Sequence, residues 1–189
     1  MERKVQDMRN YEERAKDFIK QIYPIIKGEL GYPWVIKQSI NAFNKTNNRK
    51  VQVRCGSARC ALLTSDYVIK WDYDPDEAEE IGGCENEIYL YDIAKRDGFD
   101  YLFAKISRFC YKGHNFYIMP RIYGINNENG RGWQYMTKEE VTWCQNHYLT
   151  DLHCNNYGFR KGYICIIDYA FLDNMVTDSS SSSSCHFFS

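Results

Sequence analysis

The sequence predicts an α+β fold, and three features predict it. Apolar residues recur at helical spacing up to about residue 45. From Val51 to Ile125 the period changes to β-branched and aromatic runs broken by short turns. A capped helix, a polar loop and a short apolar run then close the ordered part.

Val5, Met8, Ala15, Phe18, Ile19, Ile22 and Ile26 recur at steps of three and four, which predicts one amphipathic helix over residues 5–26. Pro24 is expected to kink or end it, because proline removes a backbone donor. Pro33 opens a second helix over residues 33–43, and "NKTNNRK" reads as a polar loop. "VQVRC" and "CALLTSDYVIKWDYD" then give two or three antiparallel strands, with a turn at Thr64-Ser65-Asp66. "CENEIYLYDIAKRDG" is helical, with Ile88, Tyr91 and Ala94 on one face and Gly98 as its stop. Two further strands flank a hairpin turn at Lys112-Gly113-His114, and "NNENGRG" is a loop. Residues 137–148 form the next helix, where Thr137 and Glu140 have capping-box spacing. "YICIID" reads as a buried strand ending in Asp168, and the serine-rich end of the chain is too polar to order itself.

Composition narrows the function classes. The chain has 189 residues, enough for one domain or two small lobes. Its 24 basic and 25 acidic residues leave a formal net charge of -1, so no global field draws it to nucleic acid or anionic lipid. The short basic stretch "NNRKVQVR" is followed by Asp72, Asp74, Asp76 and Glu77, and nucleic acid is not an expected partner. Eight cysteines stand singly, without the C-x2-C pairs of a zinc or iron–sulfur site, and read as reduced thiols. No signal peptide or membrane span is visible, so no membrane role and a cytoplasmic location are expected.

Four stretches carry the chemistry. "DYVIKWD" puts Lys70 on a strand, and "CENEIYLYD" puts Glu87 in the following helix. "DLHCNN" has the form D-L-H-x-x-N, and "CIIDYAF" ends an apolar strand in Asp168. In this order they resemble the protein-kinase-like fold, especially its short aminoglycoside-phosphotransferase-type and phage-encoded relatives. The resemblance covers about residues 51–173, with the first fifty residues outside it.

The resemblance implies a two-lobed protein that binds Mg²⁺ and ATP between its lobes. Residues 1–50 are an N-terminal helical extension, 51–122 an N-lobe-like sheet with one helix, 123–175 an abbreviated C-lobe, and 176–189 a disordered tail. Lys70 is implied as the contact to the nucleotide phosphates and Glu87 as its partner, with Glu85 the alternative. Asp151 corresponds to the carboxylate that orients the attacking hydroxyl. Asn156 and Asp168 correspond to the Mg²⁺ ligands, and Asn155 has the wrong spacing. "CGSARC" takes the place of the phosphate-covering loop, where Gly56 is the lone glycine. Gly56 and Ser57 are the implied contacts there, Arg59 is a further candidate, and an ordinary hairpin turn is the other reading. Met119, with Pro120, falls where backbone groups read adenine. His153 is expected to brace the catalytic loop through a hydrogen bond.

Other positions depart from the family pattern. Leu149 and Thr150 replace the His-Arg of protein kinases, so control by activation-loop phosphorylation is not expected. Tyr169 and Ala170 replace Phe-Gly, and no A-P-E motif follows. The function expected is phosphoryl transfer from Mg·ATP to a hydroxyl of a protein or small molecule. The alternative is a weakly active or inactive kinase-like module that works by contacting another protein. A viral origin would place either in the host cytoplasm, and the N-terminal helices are expected to pack on the body or on a second copy.

Overall fold

The computed structural model describes residues 11–74, 76, 83–123, 132–149 and 152–169. Within them the chain is a mixed α+β protein built on a five-stranded antiparallel sheet. Two helices come first, α1 (Tyr11–Ile26) and α2 (Pro33–Asn47). β1 (Gln52–Cys55), β2 (Arg59–Leu63) and β3 (Tyr67–Asp72) follow, then α3 (Cys84–Asp97), β4 (Ser107–Tyr111) and β5 (His114–Pro120). α4 (Lys138–Asn146) precedes a separate hairpin of β6 (Tyr157–Arg160) and β7 (Tyr163–Ile166). The strand order of the large sheet is β1-β2-β3-β5-β4.

β3 lies at the centre of the sheet, and its residues Tyr67 to Trp71 are all buried. Side chains alternate across a strand, so this continuous burial means that both faces of the sheet are covered. Tyr67, Ile69 and Trp71 face one core, together with Phe116 and Ile118 of β5. Val68 faces the other, with Tyr117 and Met119. Lys70 shares Val68's parity and therefore the second face.

The first face is closed by α1 and α2. Ala15, Ile19, Ile22 and Ile26 of α1 and Ile36 and Ile40 of α2 are fully buried in that core. The apolar stripe of α1 is thus covered by the sheet of its own chain. Val5 and Met8 lie outside the described residues. α1 runs through Pro24 to Ile26, so the proline sits in the last turn rather than ending the helix. The indole of Trp71 donates to the Leu30 carbonyl, which ties the α1–α2 connection to β3.

Three expectations need correcting. α2 extends to Asn47, four residues into the stretch read as a loop, because Asn48 takes the left-handed conformation that ends it. The cysteines are not all reduced: Cys55 and Cys60 face each other across the β1–β2 hairpin and form a disulfide. Spacing alone hid this, since it depends on the strand register. The segment after the D-L-H-x-x-N motif holds β6 as well as the expected strand. Its turn, Lys161-Gly162, has positive φ at both residues, as does Lys112-Gly113 in the β4–β5 hairpin. The repeated Lys-Gly dipeptide was the signal for β6.

Other readings agree with the structure. Thr137 caps α4, with a complete capping box to Glu140. Gly98 ends α3 at φ 83°. Of "NNENGRG", residues 126–131 lie outside the described residues, as does the serine-rich end, while Gly132 is buried at the start of a short 3-10 turn and donates its N–H to the Leu152 carbonyl.

Ile22 is fully buried between α1 and the sheet. Ile22→Ala should therefore lower unfolding free energy by about 2–5 kcal/mol, read as a fall in the urea midpoint. Deleting residues 1–47 should abolish cooperative unfolding, because it uncovers a whole face of the sheet. A truncated chain as stable as the full one would show that α1 and α2 are an appendage.

Candidate functional site

Four charged side chains meet on the second face of the sheet. Lys70 comes from the middle of β3 and Glu87 from the first turn of α3. The Lys70 Nζ donates to Glu87 Oε1 at 2.7 Å. Cys84, Glu87, Leu90 and Ala94 form the buried stripe of α3, which turns Glu87 inward. Glu85 instead faces outward, where it accepts from Arg108 and the Tyr117 hydroxyl. Of the two candidate partners, Glu87 is the one that meets Lys70. Asp72, at the end of β3, accepts from the Cys84 N–H and anchors the helix start to the same strand.

Asp168 lies just beyond β7 and joins this pair. Its Oδ1 is 3.9 Å from Lys70 Nζ and 3.1 Å from an Arg59 nitrogen. Arg59 opens β2 and also reaches Glu87 Oε1 at 3.4 Å. Ala61 pairs with Lys70 across the strands, so Arg59, two residues earlier, has the same parity and enters the same cluster.

Backbone bonds hold Asp168 in place. Lys70 Nζ donates to the Ile167 carbonyl at 3.0 Å, and the Ala104 N–H to the Ile166 carbonyl at 2.8 Å. The Asn156 carbonyl accepts from the N–H groups of Ile167 and Asp168. The end of the D-L-H-x-x-N motif is thereby fastened to the segment after β7 that carries Asp168. His153 accepts the Asn155 N–H at Nδ1, and its carbonyl accepts the Asn156 N–H, so it braces this loop from within. Tyr169 is buried against Phe103 and donates its hydroxyl proton to the Ala104 carbonyl.

Burial and charge shift the titrations in different directions. Desolvation alone would push the Lys70 ammonium down, but Glu87 and Asp168 outweigh it and raise the pKa. Desolvation likewise opposes ionisation of Asp168, yet Lys70 and Arg59 hold its carboxyl below the ordinary value. Glu87 is raised, because its complete burial outweighs Lys70. Its Oε1 collects every bond named above, while its buried Oε2 has no partner.

The remaining sequence candidates fall in different places. Gly56 and Ser57 lie in the β1–β2 turn, where the Gly56 N–H is spent on the Arg59 carbonyl. The Tyr73 hydroxyl donates to the Gly56 and Ser57 carbonyls. A Cβ built on Gly56 meets nothing within 4 Å, so no close backbone approach inside the chain requires glycine there. Met119 is buried opposite Val68, one strand over from Lys70. Asp151 lies outside the described residues. Arg59, a further candidate for the phosphate-covering loop, instead pairs with Glu87 and Asp168 here, a placement for which β2 parity was the available signal.

The chemistry of this set suits a divalent cation with phosphate. Asp168 offers hard carboxylate oxygens, and Mg²⁺ commonly takes only one or two donors from protein, completing its shell with water and phosphate oxygens. Among the described residues no group of three or more His, Cys, Asp or Glu could hold a metal alone. No helix among them is long and apolar enough to cross a membrane.

No protein-family model matches the chain, and no curated protein matches it in sequence. A solved structure similar to it is that of the Legionella pneumophila Lpg2603 kinase bound to IP6, at 14% identity and a TM-score of 0.43. The match covers 70% of this chain and 53% of that one, so the chain spans about half the length of that kinase.

Lys70→Met should cost about 3–5 kcal/mol of unfolding free energy, because it leaves the buried Glu87 carboxylate with only the longer Arg59 contact. The double variant Lys70→Met/Glu87→Leu should recover part of that loss, since it removes both charges together. Denaturant unfolding of the four proteins in the cycle checks this. A double variant that loses the sum of the two single losses would show that the pair is not coupled.

Proposed function

We propose that the protein is a Mg·ATP-dependent phosphotransferase that passes a phosphoryl group to a hydroxyl. The observation that carries this reading is the buried Lys70–Glu87 pair at 2.7 Å with Asp168 beside it. A lysine whose direction is fixed by a buried carboxylate presents one stationary ammonium to a phosphate. Phosphoryl transfer depends chiefly on such positioning and charge neutralisation.

In this reading residues 51–122 cover the nucleotide and 123–175 bring the catalytic loop, while 1–50 support the sheet from behind. Lys70 contacts the phosphates, and Glu87 keeps it extended. Asn156 and Asp168 hold Mg²⁺, which when bound neutralises phosphate charge. Gly56 and Ser57 lie over the phosphates, and the backbone near Met119 faces the adenine. The acceptor hydroxyl oxygen forms the new bond to the γ-phosphorus as its bond to the bridging oxygen breaks. The electron pair leaves with ADP, and Asp151 orients the hydroxyl and receives its proton. The acceptor is a protein or small molecule.

Calorimetric titration of the full chain with ATP should show binding that depends on Mg²⁺. Asp151→Asn should keep that binding and slow transfer of label from γ-labelled ATP by about 10²–10⁴-fold. Asp168→Asn should weaken the Mg²⁺-dependent binding as well as turnover. Mapping label on Ser179–Ser184 gives an internal readout, because the serine-rich stretch offers hydroxyls. Wild type that binds Mg·ATP but labels neither itself nor a panel of proteins and alcohols would favour an interaction module. Wild type that does not bind would overturn the nucleotide reading.

A further inference from the structure

We infer that Arg59 couples the divalent cation to the nucleotide, competing with the cation for Asp168 and turning to the phosphates when both are present. This rests on the phosphotransferase reading and adds to it how the two ligands enter together. The Arg59 guanidinium lies 3.1 Å from Asp168 Oδ1, an oxygen of the carboxylate that would hold the metal. A guanidinium and a divalent cation on one carboxylate oxygen exclude each other by charge and by space.

Charge gives the competition its direction. Lys70 and Arg59 balance Glu87 and Asp168, so the four-residue cluster is formally neutral. A divalent cation arriving alone meets two fixed positive charges and must displace one of them. A triphosphate brings several negative charges and gives the displaced guanidinium a new partner. Guanidinium forks match phosphate oxygens well, often through two parallel hydrogen bonds. The cation and the nucleotide therefore each remove the obstacle to the other, which is positive coupling between two sites.

The β1–β2 turn leaves this task to a side chain. Its Gly56 N–H is bonded to the Arg59 carbonyl, and the carbonyls of Gly56, Ser57 and Ala58 are taken by the Tyr73 hydroxyl and the N–H groups of Tyr73 and Asp74. The Gly56 N–H is therefore not free to bind phosphate, and Arg59 offers a charged donor at this end of β2. The turn is also held at its base, where the Cys55–Cys60 disulfide adjoins Arg59. Arg59 pairs in register with Asp72, so its backbone is fixed by β3 as well. Movement from carboxylate to phosphate then falls to the side chain alone, which keeps 16% exposure towards solvent.

The test uses Mn²⁺ as the metal probe, counted by the loss of its free-ion electron paramagnetic resonance signal, and calorimetry for Mg·ATP. In Arg59→Gln, Mn²⁺ alone should bind at least several-fold more tightly than in wild type, because Asp168 loses its competitor. Mg·ATP should bind about tenfold more weakly, as expected for one lost charge-assisted contact. The factor by which ATP raises Mn²⁺ affinity should shrink accordingly. Arg59→Lys keeps a cation of different shape and should fall between the two, which also guards against misfolding of the glutamine variant. If wild type binds neither Mn²⁺ nor Mg·ATP, the phosphotransferase reading fails. If wild type binds both and Arg59→Gln matches it, or loses affinity for Mn²⁺ and Mg·ATP alike, the coupling role of Arg59 fails on its own.

Discussion

The Lys70–Glu87 ion pair is the interaction on which the arrangement of the site depends. It joins the central strand to α3 in a place where neither charge meets bulk water. A buried pair is seldom a strong source of stability, because desolvation offsets most of the attraction. Here it acts as a constraint. Lys70 also binds the Ile167 carbonyl, so one ammonium ties together the strand, the helix and the segment that carries Asp168. Displacing the strand or the helix parts the buried pair, and displacing the third segment takes the Ile167 carbonyl and Asp168 away from the ammonium.

That constraint explains why the helices before the sheet matter to a site they do not touch. A lysine can be held in the interior only if its strand is immobile, and an antiparallel strand buried on both faces needs two covers. α3 and the chain from Leu102 onward supply one, through Leu90, Ala94, Leu102 and Phe103. α1 and α2 supply the other, through Ile19, Ile22, Ile36 and Ile40. The Trp71 indole, bonded to Leu30, ties the second cover to the strand one residue beyond Lys70. Removing α1 and α2 would expose Ile69 and Trp71, the immediate neighbours of the lysine.

How much of this was legible in the residues depended on the range of the interaction concerned. Local signals translated directly: the capping box at Thr137 and Glu140, the stripe of α1 and the stop at Gly98 each depend on neighbours within a turn or two. The choice of Glu87 over Glu85 needed the inward face of α3, which Ile88 and Tyr91 suggested only loosely because both are half-buried. The Cys55–Cys60 disulfide and the entry of Arg59 both depend on the register of β1 on β2, which single-chain spacing leaves open. β6 was hidden because its residues, Tyr157 to Arg160, alternate too weakly to resemble a strand apart from their Lys-Gly turn. The charged cluster, by contrast, was largely visible in advance, since Lys70, Glu87 and Asp168 were named by the family resemblance of their motifs, order and spacing.

The claim at the centre of this account is that the Lys70 ammonium is the one that meets nucleotide phosphate. An ATP derivative carrying an acyl group on its terminal phosphate tests it directly, because a lysine held at the phosphates takes the acyl group as an amide and releases ATP. Peptide mass mapping after a short incubation with Mg²⁺ should find the label on Lys70, and excess Mg·ATP should prevent it. Labelling spread over the exposed lysines, or labelling of Lys70 that Mg·ATP does not suppress, would contradict the account.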